Sequence, residues 1–379
     1  MTLLPAAVEP FAPATYRRRL RDVAAEAASR GLGALLITPS PDYAYLLGYR
    51  APALERLTCL VLPAAGMPSL VLPRLEEALA RHELGDLAES VELLSWDETD
   101  DPFHLVRGLL EGMTGRVGVQ DQMWARFVLR LRAELDPLEL VEAGPSIAAL
   151  RRLKSPEEVD RLRGAAAAAD AAMEKITAER LSGRSEAEVS GRINELLVSA
   201  GHQTADFAIV ASGPNSASPH HVPGERVIAP GDAIVLDIGG TRGGYCSDTS
   251  RTAFVGEPPA DFVALYEVLR GAQAAACEVV APGVSAEAVD AAARQAITDA
   301  GYGEQFIHRT GHGIGMETHE EPYLVSGNDE PLQEGCAFSV EPGIYVDGLW
   351  GARIEDIVVC TDAGGERLNK SSRELYLVD

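Results

Sequence analysis

The segment HRTGHGIGMETHEEP, residues 308–322, concentrates side chains that could do chemistry. It holds His308, His312 and His319, three of only eight histidines in the chain, interleaved with glycines. Imidazole nitrogens bind metal ions and exchange protons near neutral pH. Glycine lets the backbone come close to a ligand. The segment is therefore the first candidate for a functional site.

Four carboxylates form a second candidate group. Asp237 ends the apolar run AIVLD, Glu341 ends AFSVE, Glu355 follows ARI, and Asp248 lies between the first two. Each acid alone is most simply a cap or an ion-pair partner. Four acids that converge could not all remain ionised without cations, because like charges repel. Carboxylates with one imidazole suit Mn²⁺, Co²⁺ or Zn²⁺, and two such ions about 4 Å apart can share bridging carboxylates.

The chain contains a short internal similarity that bears on whether the four acids lie close together in the folded protein. GDAIVLDIGG (Gly231 to Gly240) resembles GCAFSVEPGI (Gly335 to Ile344), with Asp237 and Glu341 at matching positions. A second acid follows each. The similarity predicts two hairpin-like units that face each other and each supply two carboxylates.

Elements that could position these residues follow from hydrophobic pattern and capping signals. In the first part, helix and strand signals alternate, which predicts an α/β arrangement. Ser155 with Glu158, and Ser185 with Glu188, fit capping boxes. The predicted helices are Thr15 to Arg30, Ser155 to Ile176, Ser185 to Ala200, Pro259 to Val280 and Ala286 to Gly301. The predicted strands are Ala34 to Ser40, Leu60 to Pro63, Leu70 to Pro73, Val91 to Trp96, Arg116 to Gln120, Phe207 to Gly213, Asp232 to Gly240, Cys336 to Gly343 and Ala352 to Cys360.

Composition narrows the class of protein. The chain has 379 residues, enough for two domains, and a formal net charge of −24. That charge argues against nucleic acid and against an anionic membrane surface as partners. The five cysteines are scattered without a CxxC motif, which favours a reducing compartment. With neither a signal-peptide pattern nor a membrane-length apolar run, we expect a cytoplasmic protein.

The ordered set of candidate ligands resembles that of the pita-bread metallopeptidases (peptidase family M24), in the Xaa-Pro dipeptidase (prolidase) and Xaa-Pro aminopeptidase branch. The flanking motifs DIGGTRGGYCSDTSRT, HRTGHGIG, EPGIY and ARIEDIVV also match, as do PNSASPHH and LKSPEEV upstream. GALLITPSPDYAYLLGY resembles the creatinase-type N-terminal domain. The resemblance implies an α/β creatinase-like N-terminal domain at residues 1–150. It also implies an α+β pita-bread (creatinase/aminopeptidase) catalytic domain at residues 151–379.

The resemblance also implies roles for the five ligands. Asp237 would chelate one metal ion, His312 and Glu341 would hold the other, and Asp248 and Glu355 would bridge the two. Each subunit would then hold two divalent ions, with Mn²⁺ expected and Co²⁺ or Zn²⁺ as alternatives. The family also implies a homodimer.

Other residues acquire roles in substrate handling. His220 and His319 resemble the two histidines that contact the scissile peptide, and Glu341 would accept a proton from water, which makes these three the expected catalytic residues. His308 resembles a supporting histidine. Arg353 could orient a ligand, and His221 would face solvent or support a neighbour. The expected substrate-binding residues are Phe207, His308, Tyr323 and Arg353, with Trp350 as a further candidate for the wall around the proline ring.

The reaction expected from this resemblance is hydrolysis of Xaa-Pro bonds in short proline-containing peptides. A dipeptidase must bind the free carboxylate of proline, for which Arg50 of a partner subunit is a candidate, whereas an aminopeptidase must leave room for a chain. A methionine aminopeptidase normally lacks such an N-terminal domain. A creatine amidinohydrolase or a non-catalytic peptide-binding module of this fold usually lacks the ligands. A calcium-binding structural protein would not explain His312, since Ca²⁺ prefers oxygen ligands.

Overall fold

The structure is a computed structural model that describes residues 10–379. The first nine residues of the predicted N-terminal domain lie outside the described residues. The chain forms two compact units, one ending at Arg151 and one comprising Arg152–Asp379. We refer to them as the N-terminal and C-terminal units.

The N-terminal unit is a mixed six-stranded sheet with helices. Its helices are α1 (Pro13–Ser29), α2 (Pro41–Leu47), α3 (Arg74–Leu84), α4 (Pro102–Leu109), α5 (Ala125–Glu134) and α6 (Gly144–Arg151). Its strands are β1 (Leu32–Ile37), β2 (Cys59–Pro63), β3 (Ser69–Pro73), β4 (Glu92–Trp96), β5 (Arg116–Val119) and β6 (Glu139–Glu142). The strand order is β4-β3-β2-β1-β5-β6, and the pairs β3/β4, β1/β5 and β5/β6 are parallel. The predicted α/β arrangement is therefore observed, with the predicted elements shifted by up to three residues at their ends.

The C-terminal unit contains four helices and eleven strands. Its helices are α7 (Pro156–Ala178), α8 (Glu186–Ser199), α9 (Ala260–Glu278) and α10 (Ala286–Asp299). Its longer sheets are β17-β9-β8-β7 and β11-β10-β12-β15-β16, and β13 pairs with β14. The strands are β7 (Thr204–Ser212), β8 (Ala233–Arg242), β9 (Tyr245–Val255), β10 (Gly311–Gly313), β11 (Glu320–Leu324), β12 (Ala337–Val340), β13 (Gly343–Val346), β14 (Trp350–Arg353), β15 (Asp356–Thr361), β16 (Gly364–Arg367) and β17 (Tyr376–Val378).

Two capping boxes begin the first helix pair, as predicted. The Ser155 hydroxyl accepts from the Glu158 N–H, and the Glu158 carboxylate accepts from the Ser155 N–H. Ser185 and Glu188 make the same pair of bonds. Each box satisfies two N–H groups that the first helical turn leaves without a partner. The starts of α7 and α8 are thereby fixed.

Each helix pair covers one face of one sheet. Side chains of α7 and α8, such as Met173 and Ile193, pack with Leu236 and Ile238 of β8. Side chains of α9 and α10 pack in the same way with Phe338 of β12 and other residues of the second sheet. Because successive side chains of a strand point to opposite faces, the residues between these core positions face away from the helices.

One predicted strand is wrong in its extent. Ala352 to Cys360 was expected to be continuous, but β14 ends at Arg353 and β15 begins at Asp356. The segment changes partners there, since β14 pairs with β13 and β15 pairs with β12. Glu355 lies in the break, and its N–H donates to the carbonyl oxygen of Ser250 on β9.

Candidate metal centre

The hairpin of β8 and β9 supplies two of the predicted ligands. Leu236 and Ile238 are fully buried in the core, so Asp237 between them faces the opposite side of the sheet. Ser250 pairs with Asp237 across the hairpin. Asp248 lies two residues before Ser250 and therefore shares its face. The geometry brings both aspartates to the surface that the helices leave open.

The second sheet supplies the other three ligands. Val340 of β12 lies in the core and pairs with Asp356 of β15, which brings Glu341 and Glu355, the neighbours of this pair, close together. His312 Nε2 lies 3.1 Å from Glu341 Oε1 and 3.7 Å from Asp248 Oδ2. Ligand atoms of Asp248, His312 and Glu355 all lie within 4.8 Å of one another. The two halves of the internal similarity thus meet, each contributing two carboxylates.

The acids are buried together, which perturbs their titration. Burial raises the pKa of Asp248 well above its ordinary value, and the charges of Glu355, Asp237 and Glu341 raise it further. Burial, with the charges of Glu341 and Asp237, also raises the pKa of Glu355. For Glu341, burial acts upward, but the hydrogen bond and charge of His312 lower its pKa below the ordinary value. The surroundings of Asp248 and Glu355 within the chain therefore favour their protonated forms.

The donor set fits divalent metal ions. Among the described residues, Asp237 Oδ1 and Glu355 Oε1 are buried oxygens without a hydrogen-bond partner, and a buried carboxylate oxygen in that state is costly unless a cation binds it. Oxygen ligands with a single imidazole suit Mn²⁺, Co²⁺ or Zn²⁺. The residues that could hold the ions are Asp237, Asp248, His312, Glu341 and Glu355.

Neighbouring polar groups orient these side chains. His312 Nδ1 lies 3.1 Å from the carbonyl oxygen of Gly313, to which it can donate, and this leaves Nε2 for a metal. The hydroxyl of Ser339 donates to Glu341 Oε1 at 3.1 Å, and that of Ser250 donates to Glu355 Oε2 at 2.8 Å. Neither Ser250 nor Ser339 was predicted as a site residue, although the alternation of side chains along β9 and β12 indicates the position of both.

Arg353 is a buried residue that contacts the candidate metal ligand Asp237. Its guanidinium is 2% exposed and donates to Asp237 Oδ2 at 2.6 Å. It also donates to Ser250 Oγ and to Tyr345 Oη. The predicted ligand-orienting role therefore has a geometric basis, whereas these bonds leave Arg353 little capacity to bind substrate directly.

A hydrogen-bond chain extends from Arg353 to His308. Tyr345 Oη lies 3.0 Å from His308 Nε2, and His308 Nδ1 lies 2.7 Å from the carbonyl oxygen of Arg309. Burial lowers the pKa of His308, which favours its neutral form. With Nδ1 donating to the carbonyl, the neutral ring accepts from Tyr345. The structure thus places His308 among residues that support the site.

The ligands open onto a cleft of about 760 Å³ within the C-terminal unit. The other predicted residues that line it are His220, His319, His308, Phe207 and Arg353. The ring of His319 lies 4.1 Å from that of His312. Partial burial, together with the charges of His312 and Arg309, lowers the pKa of His319 to about 4. His319 is therefore neutral at pH 7 and can donate a hydrogen bond.

Three further predicted residues lie elsewhere. Tyr323 pairs with His312 across β10 and β11. The guanidinium of Arg309 lies over the ring of Tyr323, 4.4 Å from the ring centroid. Trp350 packs edge-on against Phe262 at the hydrophobic core, so it is not the expected wall. Arg50 belongs to the N-terminal unit, and its role stays a prediction.

A buried acid that was not among the predicted site residues organises the loop carrying His220. Glu186 is fully buried and accepts from the N–H and hydroxyl of Ser212, from Asn215 and from His221. The predicted choice for His221 is thereby decided: it supports a neighbour. The first position of a helix, directly after a capping serine, is usually an exposed place for an acid, which is why the pattern gave no signal for Glu186.

Comparison with known proteins defines the class. Residues 160–362 match the metallopeptidase family M24, and residues 19–153 match the creatinase/prolidase N-terminal domain. The chain belongs to metallopeptidase family M24, which makes it a metal-dependent peptidase. The predicted fold class, a creatinase-like α/β domain followed by a pita-bread domain, is confirmed.

Three relatives span nearly the whole chain. The crystal structure of dipeptidase PepE from Mycobacterium ulcerans is 46% identical, with a TM-score of 0.93, covering 98% of this chain and 100% of that one. Recombinant prolidase from Thermococcus sibiricus is 37% identical, with a TM-score of 0.89 over 96% of this chain and 99% of that one. An Xaa-Pro dipeptidase of Lactobacillus helveticus is 36% identical over 88% of this chain and 92% of its own length. None of the helices in the described part of the chain is long and apolar enough to cross a membrane.

Proposed function

We propose that this protein is an Xaa-Pro dipeptidase that hydrolyses the bond between an N-terminal residue and proline. The observation that carries the proposal is the buried meeting of Asp248, His312 and Glu355, whose ligand atoms lie within 4.8 Å of one another at a peptide-sized cleft. The dipeptidase and prolidase names of the relatives support the same substrate class.

Each subunit would hold two divalent ions. Asp237 is assigned to one ion, His312 and Glu341 to the other, and Asp248 and Glu355 to both. Mn²⁺ is the proposed ion, with Co²⁺ and Zn²⁺ as alternatives, because four carboxylates and one imidazole form a predominantly hard donor set. When bound, the ions lower the pKa of water and polarise the peptide carbonyl.

The chain's own residues would handle the protons and the substrate. Glu341, whose pKa is lowered beside His312, is a carboxylate at neutral pH and accepts the proton of the attacking water. The same carboxyl group then delivers this proton to the proline nitrogen as the peptide bond breaks. Neutral His319 donates to the developing oxyanion, and His220 contacts the scissile peptide.

Apolar surface would hold the proline ring. Phe207 is half-buried and lines the cleft. A Cβ atom at Gly239 would lie only 2.4 Å from the ring of Phe207 and would collide with it. Gly239 therefore permits the close approach of Phe207 to β8. Tyr323 and Arg353 are proposed to act on the substrate through neighbouring groups rather than on the ring itself.

Three further assignments accompany this function. Residues 1–150 are proposed to be the creatinase-like domain and residues 151–379 the catalytic domain. A homodimer is proposed from the family resemblance. A cytoplasmic location is supported by the five cysteines, all of which are free and buried.

An Xaa-Pro aminopeptidase is the second candidate. The cleft volume of about 760 Å³ favours it, because this exceeds the volume of a dipeptide and leaves room for a longer chain. The two activities differ in whether a free carboxylate must follow the proline.

The deciding experiment is hydrolysis of Ala-Pro and of Ala-Pro-Ala by chelator-treated protein to which Mn²⁺ is returned. Cleavage of Ala-Pro alone supports the dipeptidase, and cleavage of Ala-Pro-Ala supports the aminopeptidase. If neither is cleaved while the metal is bound, the chain is not a proline peptidase, and a peptide-binding role takes its place.

A further inference from the structure

Asp206 is an acid of the cleft that the proposed reaction leaves without a task. Five acids among the described residues line the cleft, and the four besides Asp206 are the proposed metal ligands Asp237, Asp248, Glu341 and Glu355. Two divalent ions would offset the charges of those four. Asp206 is exposed, and within residues 10–379 no basic side chain lies within 4.0 Å of its carboxylate. Its negative charge is therefore available to a group from outside the chain.

An irregularity in β7 directs Asp206 into the cleft. Across β8, Ala205 pairs with Gly240 and Phe207 pairs with Gly239. Asp206 is thus an extra residue without a partner in the ladder. Neighbouring side chains of a regular strand point to opposite faces, yet Asp206 and Phe207 both line the cleft. A bulge re-aims a side chain in this way, and here it adds a carboxylate to the face that carries Phe207.

A hydrogen bond from the sheet orients the carboxylate of Asp206. Thr241 Oγ1, on β8, donates to Asp206 Oδ2 at 2.7 Å. No described residue donates a hydrogen bond to Asp206 Oδ1. One oxygen is held by the sheet, and the other can accept from a ligand that carries N–H groups.

The position of Asp206 suits the end of a long side chain. Ile209 pairs with the metal ligand Asp237, and Asp206 lies three residues from Ile209, about 10 Å along β7 at the usual rise per residue. The α-amino group of a substrate lies beside the scissile bond and therefore close to the metal ions. An exposed carboxylate this far from the ligands instead matches the ammonium or guanidinium group at the end of a lysine or arginine side chain.

We propose that Asp206 binds the cationic side chain of the residue before proline, and that the enzyme thereby favours Lys-Pro and Arg-Pro over dipeptides with a neutral side chain of similar length. The inference rests on the proposed dipeptidase function. The ammonium or guanidinium group donates to Oδ1 of Asp206, while Thr241 keeps its bond to Oδ2. Because the pair is open to solvent, its contribution is small and falls as salt screens the charges.

The test compares Lys-Pro with norleucyl-proline, which has the same four-carbon side chain without the ammonium group, using Mn²⁺-loaded enzyme at pH 7. Asp206→Asn keeps an oxygen that can accept from Thr241 and removes only the charge. It is expected to lower kcat/KM for Lys-Pro about two- to fivefold, as for loss of an exposed ion pair, and to leave the value for norleucyl-proline within about 1.5-fold. Asp206→Lys should lower the value for Lys-Pro further and raise that for Glu-Pro above its wild-type value.

Asp299→Asn is the matched control. Asp299 is an exposed aspartate at the end of α10 that also accepts a side-chain hydrogen bond, from Gln295, and it does not line the cleft. The substitution should change none of these values. Circular dichroism verifies that each variant is folded.

Salt dependence provides a readout that a purely structural role of Asp206 would not produce. Raising NaCl from about 0.01 M to about 1 M shortens the screening length from about 30 Å to about 3 Å. The difference between wild type and Asp206→Asn in their preference for Lys-Pro over norleucyl-proline should therefore shrink toward zero over this range.

The proposal is overturned if Asp206→Asn changes kcat/KM for Lys-Pro and norleucyl-proline by the same factor, or changes neither. It is also overturned if the variant alters the preference for Ala-Pro-Lys over Ala-Pro-norleucine and not that for Lys-Pro, because the acid would then face the residue after proline.

Failure of the underlying function looks different. If the wild-type enzyme cleaves none of Lys-Pro, norleucyl-proline and Ala-Pro with Mn²⁺ bound, the dipeptidase function and the role of Asp206 both fall. If it cleaves all three and Asp206→Asn leaves their relative rates unchanged, the peptidase function stands and the specificity assignment is wrong.

Discussion

Asp248 and Glu355 are acids whose surroundings in the folded chain favour their neutral forms. Both are almost fully buried, and the charges of Asp237 and Glu341 act on both. Replacing one of these acids by a neutral group of similar size would relieve the repulsion without loss of packing. The presence of both acids therefore indicates a function that requires carboxylates. Metal binding is the use that the orphaned oxygens of Asp237 and Glu355 indicate.

The substitution Asp248→Asn separates the contribution of this acid to hydrolysis from its effect on the stability of the metal-free protein. We expect hydrolysis to fall more than about 100-fold, since removing even a group that supports a metal ligand costs 10- to 100-fold. We also expect the metal-free variant to be more stable than the metal-free wild type at pH 8. An amide carries no charge and can donate to Glu355, and a gain of about 1 kcal/mol would raise Tm by roughly 2–4 °C.

Calorimetry of chelator-treated protein measures this difference. Asp206→Asn is the control, because Asp206 lines the same cleft but is exposed. Its Tm should stay within about 1 °C of the wild type, as is usual for surface substitutions. A metal-free Asp248→Asn protein that melts below the wild type would contradict the repulsion argument.

Among the elements, the loop between β7 and β8 depends on Glu186. This buried carboxylate accepts from Ser212 and Asn215 at the start of the loop and from His221 and the N–H of Gly224 further along it. These hydrogen bonds lower the pKa of Glu186 although burial acts upward. The hydrogen bond between His221 and Glu186 therefore positions the adjacent residue, His220.

Glu186→Gln is expected to lower kcat about tenfold while leaving metal affinity unchanged. The amide cannot accept every bond that the carboxylate accepts, so the loop loosens, and the cost in unfolding free energy should be about 1–3 kcal/mol. Steady-state kinetics with Ala-Pro and Mn²⁺ titration measure the two effects. Glu195→Gln, at an exposed acid on the same helix, is the control. A parallel loss of Mn²⁺ affinity would mean that Glu186 acts on the metal ligands instead.

A buried ion pair holds the segment that carries His319. Lys154 Nζ lies 2.7 Å from Glu320 Oε1, with side-chain exposures of 1% and 10%. Lys154→Met should cost about 3–5 kcal/mol because it removes the ammonium group that is paired with the buried carboxylate of Glu320. The double variant Lys154→Met, Glu320→Gln should recover part of that loss in urea unfolding. Strictly additive losses would argue against coupling between the two residues.

Element boundaries were predictable where a local signal fixes them. Ser155 and Ser185 with their glutamates gave the starts of α7 and α8, because a capping box depends on four consecutive residues. The break at Glu355 was not predictable, since it arises when β14 and β15 pair with different strands far away in sequence. Glu186 was missed for the same reason: its burial depends on a loop more than twenty residues later.

For the molecule as a whole, the site depends on two sheets that come from separate stretches of the chain. Alternation within β8 and β12 placed Asp237 and Glu341 opposite the core, and this much could be read from the residues. That the two faces meet was suggested by the internal similarity and supplied mainly by the family resemblance, because spacing along a chain does not determine distance in space. The resulting charge cluster links the stability of the protein to pH and to metal.

Asp248 and Glu355 should lower the stability of the metal-free protein as pH rises. The folded-state pKa values of Asp248 and Glu355 lie above their ordinary, unfolded values, so in that interval the folded chain binds more protons than the unfolded chain. The free energy of unfolding then falls by up to about 1.4 kcal/mol per pH unit for each group, beginning just above the ordinary pKa near 4 and ending at the raised values.

Bound Mn²⁺ should reverse this trend, because it stabilises the ionised carboxylates and competes with protons for them. Calorimetric Tm values from pH 5 to 8, with chelator and with Mn²⁺, test this expectation. The gain in Tm on adding Mn²⁺ should increase as pH rises. This difference is the informative quantity, because the lowered pKa values of His308 and His319 add a separate rise of stability with pH below the ordinary histidine pKa. Without metal, the Tm of the Asp248→Asn variant relative to that of the wild type should increase as pH rises, since one of the two titrating groups is gone. Parallel curves with and without Mn²⁺ would mean that the ions do not bind at these carboxylates.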